Sequence, residues 1–130
     1  MEHIIEDKSH WPIVSYRFKG RQTSEDVDGL LESWQENIDR KDEFLLVFHM
    51  NEYDPHIGHI KRLAGWLLRH QKETGEFCLG VAIITSNLGV IKMVLNAFLL
   101  ISPFPFPYKI FTRENEASKW IQEQHRCGKS

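Results

Sequence analysis

One short stretch of the chain concentrates side chains that bind metals or move protons. It reads His49-Met50-Asn51-Glu52-Tyr53-Asp54-Pro55-His56-Ile57-Gly58-His59 and holds three imidazoles, two carboxylates and a phenol. His56 and His59 stand three apart, so on a helix they share a face. With Glu52 or Asp54 such a pair could complete a carboxylate-histidine metal set or serve acid-base chemistry. The spacing matches no zinc signature, and no metal or cofactor is assigned to it. The competing reading is architectural. Asp54 would cap a helix with Pro55 at its first position, and His56 and His59 would be surface residues of the first turn. His49, Tyr53, Asp54, His56 and His59 therefore form a secondary candidate loop. His70, with Trp66 between it and His59, extends an aromatic-histidine border along the same helix. No catalytic signature accompanies these residues. Gly58, Gly65, Gly80 and Gly89 stand singly rather than in a phosphate-cradling loop, and no nucleophile elbow occurs. Cys78 opens an apolar run and Cys127 lies near the end, neither paired with a histidine by motif. The expectation is a chain that binds rather than catalyses.

The stronger candidate is apolar. Ten of the twelve residues from Val90 to Ile101 are apolar, in a stretch whose only charged residue is Lys92. With Lys92 turned to solvent, Val90, Ile91, Val94, Phe98 and Ile101 face the sheet. Leu88, Met93, Leu95, Leu99 and Leu100 are then left on the shoulders or the outside, where an amphipathic helix normally carries polar groups. Fourteen residues span roughly 21 Å, too short for a hydrocarbon core of about 30 Å. Two readings stand: a helix buried by neighbours or a second subunit, or a surface for a lipid, a membrane or an apolar small molecule. Phe104 and Phe106, in Pro103-Phe104-Pro105-Phe106-Pro107, belong to the same patch.

The 130 residues carry 16 basic and 18 acidic side chains, with 42% hydrophobic and 12% aromatic content. These values suit one globular domain over residues 1–130 and argue against disorder. A net charge of −2 gives no basic face for nucleic acid. Two cysteines make no disulfide framework, and Met1 to Asp7 lacks the pattern of a signal peptide. A cytoplasmic domain is expected, with peripheral membrane attachment as the variant of that expectation.

The elements that must position these residues follow from periodicity. A short piece around Ile4 and Ile5 precedes Ile13 to Lys19, where Val14, Tyr16 and Phe18 alternate as a strand's core face. Thr23-Ser24-Glu25-Asp26 opens a helix with Val27, Leu30, Leu31, Trp34 and Ile38 on one face. Phe44 to Met50 and Cys78 to Thr85 are continuous apolar runs suited to central strands. Between them Ile57, Ile60, Leu63, Ala64, Leu67 and Leu68 form a helical arc that Thr74-Gly75 should stop. The helix from Leu88 to Ile101, a short strand Tyr108 to Phe111 and a closing helix from Glu114 complete the chain. The fold class is α/β: an N-terminal hairpin, a mostly parallel sheet of four or five strands, and about four helices.

This layout resembles the STAS superfamily. Phe18-Lys19-Gly20 closes the second strand and Thr23-Ser24-Glu25-Asp26 opens the first helix. Tyr108-Lys109-Ile110-Phe111 leads into Glu116-Ala117-Ser118-Lys119-Trp120-Ile121, which is similar to the SpoIIAA-like branch. The better-known members are anti-sigma-factor antagonists switched by phosphorylation of a Ser or Thr after a central strand. No Ser or Thr occurs from Trp34 through Glu73, so that switch is absent here. A protein-protein module would have to work without it. The SpoIIAA-like branch also resembles CRAL-TRIO lipid-transfer domains, which implies hydrophobic ligands or membrane association.

Overall fold

The computed structural model describes residues 1–128. The elements run β1 (Ile4–His10), β2 (Ile13–Arg21), α1 (Ser24–Asp39), β3 (Phe44–Asp54), α2 (Ile57–Arg69), α3 (Gln71–Phe77), β4 (Cys78–Ile84), α4 (Leu88–Leu99), β5 (Tyr108–Phe111) and α5 (Glu114–Cys127). The sheet has the order β1-β2-β3-β4-β5. β1 and β2 form an antiparallel hairpin, and every later pair is parallel.

This order decides where the helices lie. Each crossover after β2 adds its strand on the same side of the last. Right-handed crossovers in one direction put their helices on one face of the sheet. The core divides accordingly. Val14, Tyr16 and Phe18 of β2 and Phe44 and Leu46 of β3 pack with residues of α1, α2 and α4. Leu45 of β3 and Ala82 and Ile84 of β4 turn the other way, onto Ala117 and Ile121 of α5. Adjacent strand residues face opposite sides, so continuous apolar runs are what this two-sided burial requires. Gly80 makes room for α5, since a Cβ there would lie 3.2 Å from Trp120 Cη2.

The start of α1 follows its sequence signal. Thr23 Oγ1 accepts from the Asp26 amide at 3.1 Å, and Asp26 Oδ2 accepts from the Thr23 amide at 2.8 Å. This reciprocal capping box satisfies two amides that the helix itself leaves unpaired.

Three expectations are corrected. Asp54 is not a helix cap: β3 stays paired with β2 as far as Arg21 and Asp54, and the carboxylate accepts from Arg21 Nε at 3.1 Å. α2 begins two residues later than the Asp54-Pro55 signal suggests, behind His56. Thr74-Gly75 is not a stop either. The chain bends at His70, whose Nδ1 donates to the Trp66 carbonyl at 2.8 Å while its ring stacks on the Trp66 indole. A separate short helix, α3, then contains both Thr74 and Gly75, so there are five helices rather than about four. The third correction concerns the arc of α2, where Ile57 and Leu68 are exposed. Trp66 and Leu68 lie about 200° apart around a helix, so burying the indole turns Leu68 outward.

Candidate functional site

Between the sheet and the helices α1 to α4 lies a cavity of about 110 Å³. Its floor is the inward face of β3, with Leu46, Phe48 and Met50. Trp34 of α1 and Trp66 of α2 form one wall, their rings 5.6 Å apart in an edge-to-face contact. Ile91, Val94, Leu95 and Phe98 of α4 form another.

A further wall is the segment after α4, whose Phe104 and Phe106 are partly buried. Prolines at 103, 105 and 107 bias the residues before them to extended geometry, so the segment lies as a strap rather than coiling. Phe104 and Phe106 stack at 5.4 Å and line the cavity, and Phe98 and Tyr108 pack on Phe104 at 5.3 and 4.9 Å. Gln71 of α3 holds the start of the strap, donating from Nε2 to Ser102 Oγ and to the Pro103 carbonyl, both at 2.9 Å. Further along, Pro105 sits against α3 at Gly75, where a Cβ would lie 3.2 Å from the proline's own Cβ.

Polar groups reach this apolar chamber at few points. Asn37 is 1% exposed, lines the cavity, and donates from Nδ2 to the Tyr16 hydroxyl at 2.9 Å. That hydroxyl lies 2.6 Å from Ser33 Oγ, and Ser33 in turn donates to Glu6. Burial pushes the Tyr16 phenol up to about 12, against the opposing effect of its bonds to Ser33 and Asn37. Asn37 Oδ1, the Thr74 hydroxyl and Trp34 Nε1 are buried without a hydrogen-bond partner, and all three residues line the cavity, Thr74 at 5% exposure. Tyr53, also in the lining, is raised to about 12 by burial and by the neighbouring Asp54 charge.

The structure divides the residues singled out on α4 and the strap. Leu95, Phe104 and Phe106 face the chamber. Leu88, Met93, Leu99 and Leu100 face outward, with Met93 55% and Leu100 88% exposed. The histidine loop is scattered. Tyr53 enters the chamber and Asp54 pairs with Arg21. His56 and His59 do meet, with ring centroids 4.5 Å apart. His59 Nδ1 is buried without a partner, and burial, with His56 and Arg62 nearby, holds this imidazole below its ordinary pKa. His49 points to the opposite face of the sheet. There it lines a separate groove of about 340 Å³ with Arg17, Glu114, His10 and Asp7. Burial and Arg17 lower the His49 pKa against the pull of Glu114. No group of three or more His, Cys, Asp or Glu among the described residues could hold a metal ion.

Sequence reasoning missed Tyr16, Asn37 and Thr74 as a polar set. A signal for Asn37 was present, because it falls on the stripe of Leu30 and Trp34 at helical spacing, where a core residue is expected. Thr74 carries none, since beside Gly75 its local signal is that of a helix stop.

Comparison with known proteins agrees with this architecture. The family model described as a domain of unknown function (DUF7793) matches residues 57–125, more than half of the chain. A crystal structure of an uncharacterized DUF3478-family protein with a SpoIIAA-like fold, from Shewanella loihica, superposes with a TM-score of 0.65. It is 17% identical and the match covers 91% of each chain. The fold is therefore SpoIIAA-like. No curated protein matches the chain. No helix among the described residues is long and apolar enough to cross a membrane.

Proposed function

The chain belongs to the DUF7793 family, and we propose that it is a non-catalytic binding module that takes an apolar molecule into the chamber beneath α4 and the Phe104-Phe106 strap. The observation that carries this reading is the chamber itself. Protein interiors are close-packed and rarely keep voids larger than a water. The space of about 110 Å³ is lined almost wholly by apolar and aromatic side chains, so an apolar molecule that enters it is removed from water on most sides. Tyrosines supply the only titratable side chains in the lining, which favours binding over catalysis.

Trp34 and Trp66 line the chamber and report on it directly. Titration with toluene should change their emission and raise the melting temperature. Val94→Phe, which places a ring in the chamber, should abolish both effects. Saturating toluene that moves neither signal in the wild type refutes the reading.

A second reading rests on the outer face of α4, where Leu88, Met93, Leu99 and Leu100 are exposed beside Lys92. We propose that this face meets a membrane surface peripherally. Flotation with anionic liposomes should carry the wild type and leave Leu99→Glu and Leu100→Glu behind. Equal, negligible flotation of all three rejects it. Dimerisation through the same face would instead appear in sedimentation as a mass that the two variants halve.

A further inference from the structure

The chamber is apolar, yet a chain of hydrogen bonds fixes the sense of one polar group in its wall. The chain begins at Glu6, whose carboxylate is paired with Lys8 Nζ at 3.2 Å and can only accept. Ser33 therefore spends its proton on Glu6, and its oxygen accepts from Tyr16. Tyr16 has one proton, now used, so its oxygen accepts from Asn37 Nδ2. Each link leaves the next with one role, and the amide of Asn37 has one orientation. The group left over is Oδ1, an acceptor, buried and unpartnered in a residue that lines the cavity. A buried acceptor without a partner gives up its hydration for nothing, so its retention asks for a donor.

Resting on the apolar-ligand reading, we infer that the chamber selects a ring-sized, uncharged molecule carrying a hydrogen-bond donor, and that Asn37 Oδ1 receives that donor. Size follows from the volume: an engineered cavity of about 150 Å³ holds benzene, and this one is about 110 Å³ with flexible Met50 and Leu95 in its lining. The ring preference follows from the surrounding Phe48, Trp34, Phe98 and Phe104, which offer faces and edges to an aromatic guest. Neutrality follows from the lining, which holds no Lys, Arg or His to compensate a buried anion. The unpartnered Thr74 hydroxyl can donate or accept and the unpartnered Trp34 Nε1 can only donate, so a hydroxyl, which both gives and takes a hydrogen bond, suits the lining as a whole.

Phenol, toluene and benzoate share a ring and differ in the group that matters. The full-length protein is titrated with each at pH 7 by calorimetry. Phenol should bind within about threefold of toluene because Asn37 repays the desolvation of its hydroxyl, and benzoate should bind at least tenfold more weakly than phenol. In Asn37→Leu the phenol-to-toluene affinity ratio should fall roughly tenfold. Phenol tenfold or more weaker than toluene in the wild type, benzoate as tight as phenol, or an unchanged ratio in Asn37→Leu overturns the inference and leaves the apolar chamber standing. Binding of none of the three refutes the chamber reading itself. The wild-type comparison decides alone should Asn37→Leu fail to fold.

Discussion

Tyr16→Phe probes the hydrogen-bond chain that orients Asn37, and its consequences at two pH values can be worked in advance. The ring of Tyr16 is fully buried and stacks on Phe48 at 5.5 Å, and phenylalanine preserves both features. Only the hydroxyl is lost, with its bonds to Ser33 and Asn37. Ser33 keeps Glu6. Asn37 loses the partner of Nδ2 while Oδ1 already has none, so a whole amide is left buried and unpaired. One lost bond of about 1 kcal/mol and one new orphan of roughly 1–3 kcal/mol give a deficit of about 2–4 kcal/mol at pH 7.

At high pH the deficit should shrink. The Tyr16 phenol titrates at about 12 in the folded protein and at about 10 unfolded. A raised folded pKa contributes stability that is intact below pH 10 and lost as the pH rises toward 12. Two pH units correspond to about 2.7 kcal/mol, which the wild type loses and the variant, lacking the phenol, does not. Titrations of the other groups cancel in the difference. Urea unfolding of both proteins from pH 7 to pH 12 should show two stability curves that converge above pH 10. A deficit that stays constant across that range, or a variant more stable than wild type at pH 7, refutes the reasoning.

Asp26 joins the amino terminus to α1, accepting from the amides of Glu2, His3 and Thr23 and from His3 Nδ1 at 2.7 Å. Burial alone would raise its pKa, but these donors hold the carboxyl well below the usual carboxylate range. Its contribution is intact above about pH 3.9 and is lost as the pH falls through the depressed value. Asp26→Asn should therefore lower the urea midpoint at pH 7, by roughly 2 kcal/mol in stability, and flatten the acid side of the pH profile. Gly80→Val should cost about 1–3 kcal/mol in urea unfolding, because its Cβ would press on Trp120. Thr74→Val replaces a buried orphan hydroxyl by a methyl of the same shape, and should raise stability by about 1 kcal/mol in thermal melts.

Much of the architecture was legible in the residues themselves. The alternation of Val14, Tyr16 and Phe18, the capping box at Thr23 and Asp26, and the continuous apolar runs of β3 and β4 are local signals. Each states a backbone geometry within a few residues, and together they imply a hairpin leading into a parallel sheet. The apolar excess of α4 was equally plain, because only Lys92 and Asn96 interrupt it with polar side chains after Gly89. Boundaries failed where distant partners outweighed local preference. Asp54 had the chemistry of a cap, but pairing with β2 and Arg21 kept it extended. The bend at His70 is local instead, its ring stacked on Trp66 and its Nδ1 bonded to the Trp66 carbonyl one turn earlier.

By itself the sequence determined the five strands, four of the five helices, their order and the amount of apolar surface to be buried. The tertiary structure decided which side of α4 meets the interior, and placed Leu95 with the strap phenylalanines around a space while Leu100 faces out. It also separated His49 from His56 and His59, since neighbouring strand residues face opposite sides and the strand runs on past His49. The polar chain from Glu6 to Asn37 exists only once β1, β2 and α1 are packed, because its bonds join residues 17 to 27 positions apart. Periodicity reports which face of an element is buried. The space left between buried faces, and the polar atoms of Trp34, Asn37 and Thr74 left without partners around it, depend on how volumes far apart in the chain fit together.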